Sequence, residues 1–212
     1  MKILTINEVK YQIPERWSEF PFSKFEELAF AEDQVFVLTG IPSVVIECFD
    51  EVTKQQIADC LMAFSVMPKG TVDKLVINDL PFQVYLNASY AYKANDKVAF
   101  VRAFFPEAGD DCESCIPRYN AANQAWADFH QYWSWLETKP DPEWKAAGIN
   151  RLDKYGTYAM LAQMANRNLQ LEAFIVNLPT KDVFTHRAYW SEMDEVITAY
   201  QRNRGRNGKG NI

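Results

Sequence analysis

Apolar residues alternate from Leu4 to Ile13, L-T-I-N-E-V-K-Y-Q-I, on both sides of the turn-competent pair Asn7-Glu8. A period of two flanking a two-residue turn predicts a short β-hairpin. The same frame returns at 75–84, L-V-I-N-D-L-P-F-Q-V, with Pro81 in place of Lys10. A second hairpin is expected there. Its strand should be an edge or irregular, because proline cannot donate to a ladder. A duplication, two merely similar hairpins and coincidence all fit ten residues of likeness.

Between and after these segments the period changes to that of helices. Ser23-x-x-Glu26 and Thr53-x-x-Gln56 have the spacing of capping boxes. Phe25 and Leu28 mark one face of the first helix; Ile57, Leu61 and Phe64 mark another at i, i+4, i+7. Gly40-Ile41-Pro42 and Pro68-Lys69-Gly70 read as helix stops. Asp96 can cap a helix carrying Val98, Val101, Phe104 and Phe105. An acidic loop from Pro106 to Pro117 follows. Trp126, Phe129, Trp133 and Leu136 then line one face of a strongly apolar helix, which Pro140-Asp141-Pro142 breaks.

The remainder is helical by pattern. Leu152, Tyr155, Ala159 and Ala162 suggest one face; Leu171, Phe174, Ile175 and Leu178 suggest another, ended by Pro179. Thr180 caps a long last helix whose positions Val183, His186, Trp190, Met193, Ile197 and Tyr200 alternate by three and four. Such an a/d stripe can pair two copies; packing into the parent domain is the more ordinary use. The expected fold is α+β and predominantly helical, with two short hairpins packed on a helical body. The expected organisation is a hairpin-plus-helix region over 1–140 containing the repeat (4–13 and 75–84), a helical subdomain over 145–201, and a disordered basic tail over 202–212.

Composition narrows the function classes. Hydrophobic residues make up 48 % of the 212 residues and charged residues 24 %, as in ordinary folded proteins. Aromatics reach 14 %, enough for a large core. The 22 basic and 28 acidic residues give −6, which disfavours a dedicated nucleic-acid binder. The start, Met1-Lys2-Ile3-Leu4, runs straight into alternating sequence, so no secretory signal is expected. No apolar run approaches the ~18 residues of a membrane span. A cytosolic location is expected.

Candidate chemistry is sparse. The phosphate-loop, dinucleotide, nucleophile-elbow and zinc-protease motifs are all missing from the sequence. His130 and His186, the two histidines, fall on apolar helix faces and read as interior residues. Cys48 and Cys60 read as small core residues. Cys112 and Cys115 form C-x-x-C, the spacing of half a zinc site, with His130 a conceivable third ligand and His186 a distant fourth. A redox helix start is the other chemical reading; an acidic loop carrying two thiols is the plain one. Asp110-Asp111 beside them reads as a solvated carboxylate pair. No cofactor is implied.

Two surface readings remain. Interfaces are enriched in Trp, which makes Trp126, Trp135, Trp144 and Trp190 candidate partner contacts, with Trp133 assigned to the core and Trp135, off the helix face, the best exposed anchor. Arg202, Arg204, Arg206 and Lys209 in the glycine-rich end are candidate nucleic-acid contacts.

One stretch carries a resemblance. Tyr11-Gln12-Ile13-Pro14, Trp17-Ser18-Glu19-Phe20, Phe25-Glu26-Glu27-Leu28 and Leu38-Thr39-Gly40-Ile41-Pro42 follow the order hairpin, P-x-x-W-x-E, short helix, L-T-G-I-P. This resembles small proteins of tailed bacteriophages and prophages, described as tail assembly chaperones or as phage proteins of unknown role. Lys154-Tyr155-Gly156 and the helix ends at Leu178-Pro179 and Val183 are similar to the ends of the same proteins. The likeness covers roughly the first 65 residues and the last 60. It implies a non-enzymatic binder that keeps a long helical tape measure protein soluble until tail tube subunits polymerise around it. It also implies the bacterial cytoplasm or the virion as location, and other phage proteins as partners. A structural tail or connector protein, a nucleic-acid-contacting regulator and a zinc-binding protein are the alternatives.

Overall fold

The computed structural model of the protein describes residues 1–6, 8–136, 151, 154–155 and 157–207, with side chains as far as 202. The elements run β1 (Lys2–Ile6), β2 (Val9–Ile13), α1 (Phe25–Phe30), α2 (Gln34–Thr39), α3 (Ser43–Ile46), α4 (Glu51–Met62), α5 (Phe82–Lys93), α6 (Lys97–Phe104), α7 (Cys112–Tyr132), α8 (Thr157–Met164), α9 (Leu169–Ile175) and α10 (Thr180–Asn207). Two short strands stand against ten α-helices among the described residues, so the fold is α+β and predominantly helical.

The chain divides into two compact units. Unit 1 comprises Met1–Lys74 and Asn95–Asn123; unit 2 comprises Leu75–Ala94 and Gln124–Ile212. This differs from the expected division near 140, a position outside the described residues. Pro140-Asp141-Pro142 suggested that division as a linker, but packing assigns α5 to the C-terminal unit and the start of α7 to the N-terminal one.

In unit 1 the first hairpin forms as the alternation requires. β1 and β2 pair antiparallel with Lys2 opposite Ile13 and Ile6 opposite Val9. The turn places Glu8 at φ 67, the left-handed geometry of tight hairpins. Leu4 and Ile13 are buried with Ile41, Ile57 and Cys60, and Ile6 and Tyr11 pack beside them. α2 starts at Asp33, whose carboxylate accepts from the Phe36 N–H at 2.9 Å. It stops at Gly40, where φ is +72 and a side chain would be strained. Two expected capping boxes are corrected. α1 continues a 3-10 turn (Phe22–Lys24) with no side-chain cap, and α4 is capped by Asp50, which accepts from both the amide and the hydroxyl of Thr53 at 2.9 Å. Asp96 caps α6 as expected, accepting from Ala99 at 2.9 Å.

The second hairpin, expected at 75–84, does not form. Ile77–Asp79 is a 3-10 turn, and Phe82 already begins α5 behind Pro81. Proline's fixed φ suits a helix start and removes a ladder donor. A different repeat is present instead. Ser18-Glu19-Phe20-Pro21-Phe22 and Asn78-Asp79-Leu80-Pro81-Phe82 each end a 3-10 turn and each form a one-residue antiparallel bridge through proline. In unit 1, Phe22 N–H donates to Asp110 at 2.7 Å and Cys112 N–H to Phe20 at 2.9 Å. In unit 2, Phe82 N–H donates to Leu178 and Thr180 N–H to Leu80, both at 2.8 Å. In each unit the second bridged segment opens the long helix, α7 or α10. In each it follows a short helix, α6 capped by Asp96 or α9 capped by Asn168. Each cap in turn follows a left-handed residue, Asn95 or Arg167.

Unit 2 is built around aromatics. Tyr85 stacks on Phe82 at 5.6 Å and on Trp126 at 5.2 Å, and Phe184 meets Phe129 edge-on at 4.8 Å. Trp133 and Leu136 are buried in the same unit. In α8 the buried residue is Leu161, with Ala165 buried just after the helix, not the expected line through Tyr155, Ala159 and Ala162; Tyr155 is exposed, and Leu152 lies outside the described residues.

Candidate partner-binding surface

The four tryptophans expected to contact a partner separate in the structure. Trp126 is buried: α7 turns it onto Tyr85, with Tyr92 at 5.5 Å and the His130 ring at 4.5 Å. It is core, which corrects its reading as a partner contact. Trp135 is 52 % exposed, in the turn that follows α7. Trp190 is 51 % exposed on α10. Trp144 lies outside the described residues.

Sequence reasoning missed an exposed apolar surface in unit 2. α9 turns Ile175 and Glu172 inward, leaving Leu169, Leu171 and Phe174 exposed. The inward carboxylate is satisfied: Glu172 Oε2 accepts from the Tyr158 hydroxyl at 3.0 Å, and this bond raises the Tyr158 pKa. A carboxylate with a phenolic donor can occupy an inside position that the hydrophobic pattern assigns to leucine or phenylalanine. The only signal was Tyr158 in the preceding helix.

The stripe on α10 also departs from expectation. Val183, Phe184 and Ala188 are buried, but His186, Trp190, Ile197 and Tyr200 are exposed and Met193 is half-buried. Beyond Ala188 no residue of the stripe is fully buried. His186 is not an interior residue; its Nε2 accepts from Trp190 Nε1 at 3.1 Å. The tail expected to be disordered from 202 is helical through Asn207. Arg202 is exposed, Arg204 and Arg206 lie on that helix, and Lys209 lies outside the described residues.

Cys112 and Cys115 are not on a loop. They occupy the first turn of α7, are fully buried, and sit in the core with Trp17, Phe20, Phe22 and Ile116. Pro117 is inside the helix, not at its entrance; the bond it forfeits belongs to the carbonyl of the exposed Glu113, which water can satisfy. Burial, aided by Cys115 and Asp111, pushes the Cys112 thiol up to about 12. Cys115 is also raised by burial, and its Sγ donates to the Gly109 carbonyl at 3.0 Å. These shifts disfavour the thiolate needed for metal binding or exchange. Among the described residues no three or more His, Cys, Asp or Glu side chains gather as a metal site. The acidic pair is structural too: Asp110 pairs with Arg102 at 2.6 Å, and Asp111 accepts from the Ser114 N–H at 2.8 Å. Cys60 is buried as expected; Cys48 is exposed.

Fold and surface define a predominantly helical α+β protein whose second unit displays apolar side chains on two helices. No family model, curated protein or solved structure matches the chain. Among the described residues no helix is long and apolar enough to cross a membrane.

Proposed function

We propose that this chain is a non-enzymatic binding protein of the phage tail assembly chaperone kind, covering an apolar helix of a tape measure protein until the tail assembles. The observation that carries the reading is the exposed apolar surface of α9: Leu169 is 74 % exposed and Phe174 62 %, and Leu171 is exposed as well. Exposed apolar rows on a helix suit helix-to-helix recognition. Trp135 adds an exposed aromatic anchor in the same unit. The net charge of −6 would keep a complex with an aggregation-prone partner in solution. The resemblance of the N-terminal segments to phage proteins supplies the class of partner.

The test is an affinity pull-down of the tagged full chain from bacteria producing phage tail proteins, read by mass spectrometry. A long helical tail protein should be recovered with the wild type. It should be lost with the double variant Leu171→Ser, Phe174→Ser, which removes exposed side chains and should melt within a few degrees of the wild type, as surface changes do. Recovery of nucleic acid or host proteins with no tail component would overturn the reading. Incorporation into purified virions would favour the structural tail or connector role instead.

A further inference from the structure

From Tyr189 to Arg202 no side chain of α10 is buried. At 1.5 Å per residue this is about 20 Å of helix without a fully buried side chain. Isolated helices of such length are marginal in water. Yet this one carries Trp190, Met193, Ile197 and Tyr200 at a and d spacing, with Tyr189 and Val196 on the flank.

We propose that this stripe is the seam of a homodimer, formed by α10 of two copies lying antiparallel. The register follows from the residues. In antiparallel pairs an a position faces a d position, so Trp190 lies opposite Met193 of the second copy. The two-fold axis then passes between 191 and 192. His186 falls opposite Ile197 of the second copy, and Tyr189 beside Val196. The same operation brings Arg187 beside Asp194 of the second copy. Each of these contacts occurs twice. Asp194 makes no ion pair among the described residues, and Arg187 uses one N–H on the Leu136 carbonyl at 3.5 Å. Charge complementarity at these flanking positions is what selects partner and orientation in paired helices.

The parallel alternative fails on both counts. It stacks Trp190 on Trp190 and faces Asp194 with Tyr189. The acid within reach of Arg187 is then Asp182, beside Val183 and Phe184, which are already buried in their own unit. A second copy is thus the occupant whose charges and side-chain sizes the stripe matches. The strip is short, so the pairing belongs at the small end of specific interfaces, with a Kd on the order of micromolar.

The test is sedimentation equilibrium of the full chain from micromolar to near-millimolar concentration. A reversible monomer–dimer equilibrium is expected. Ile197→Glu, at a position exposed in the monomer, should keep the wild-type helix content and weaken the dimer by at least about tenfold. Arg187→Asp and Asp194→Arg should each weaken it about tenfold, and the double variant should return to within about threefold of the wild type. A spin label at Arg202→Cys, with Cys48→Ser, should report about 30 Å between copies, since each label lies some ten residues from the axis. A chain that stays monomeric throughout the series overturns the proposal; so does a dimer indifferent to Ile197→Glu, or a label separation under about 20 Å, which means parallel pairing. The outcome is independent of the α9 reading, which concerns another helix and another partner.

Discussion

Glu19 shows how much one carboxylate can gather. It accepts the Glu15 N–H at 2.9 Å, contacts the amino group of Met1, and pairs with the Arg16 guanidinium at 3.1 Å. The backbone donor first, then the amine and Arg16, hold its pKa at about 2 against an ordinary 4.5. A depressed folded-state pKa means stability that is fully present above 4.5 and lost as pH falls toward 2. The urea midpoint of the wild type should therefore drop more steeply across this window than that of Glu19→Gln. The thiols give a second prediction. Cys48 is exposed, whereas Cys60, Cys112 and Cys115 are buried. One equivalent of iodoacetamide should react promptly with the native protein, at Cys48 by peptide mapping, with the other three reacting only on unfolding. Rapid native alkylation of Cys112 would contradict its raised pKa and its place in the core.

At the scale of elements, the proline bridges decide where the long helices begin. Thr180 is fully buried, and both its N–H and its hydroxyl donate to the Leu80 carbonyl at 2.8 Å. Thr180→Val keeps the shape and the backbone bond but loses the hydroxyl one. The expected cost is about 1 kcal/mol by urea unfolding, the usual net value of one such bond. A neutral result would mean that the backbone bond alone sets the junction. Periodicity located most elements here: the first hairpin, α4, α6, the apolar face of α7 and the start of α10 were legible. It misplaced the second hairpin because L-V-I-N-D-L satisfies both a strand pattern and an extended entry to a 3-10 turn. Pro81 favours the latter.

At the scale of the whole molecule, two cores replace the expected succession of regions. All four cysteines belong to unit 1, whereas Trp126, Trp133, Trp135 and Trp190 belong to unit 2. The aromatic surplus in the composition is thus divided: part of it stacks inside unit 2 around Tyr85 and Phe184, while others, among them Phe30, Tyr132, Trp135, Phe174 and Trp190, are exposed. In unit 2 exposed apolar residues sit on α9 and on the outer part of α10, and in unit 1 Phe30, Val44, Val52 and Met62 are exposed as well. Both the capture experiment on Leu171 and Phe174 and the dimer experiment on Ile197 probe such places. Their substitutions should spare stability, because neither removes a packed side chain.

The sequence by itself determined the fold class, the first hairpin, the Asp96 cap, the Gly40 stop and the apolar faces of the helices around residues 57 and 129. Each rests on local physics: side-chain period, an amide needing an acceptor, or a φ that glycine permits. Only the tertiary structure decided which faces are covered. Trp126 and Trp190 lie on equally apolar stripes, yet one is stacked against Tyr85 and the other faces solvent. Glu172 is inside because Tyr158, fourteen residues earlier, supplies its donor. Cys112 is buried because Phe20, far away in sequence, accepts its amide and packs on it. Burial and satisfaction depend on neighbours brought from distant parts of the chain, and no local pattern encodes them.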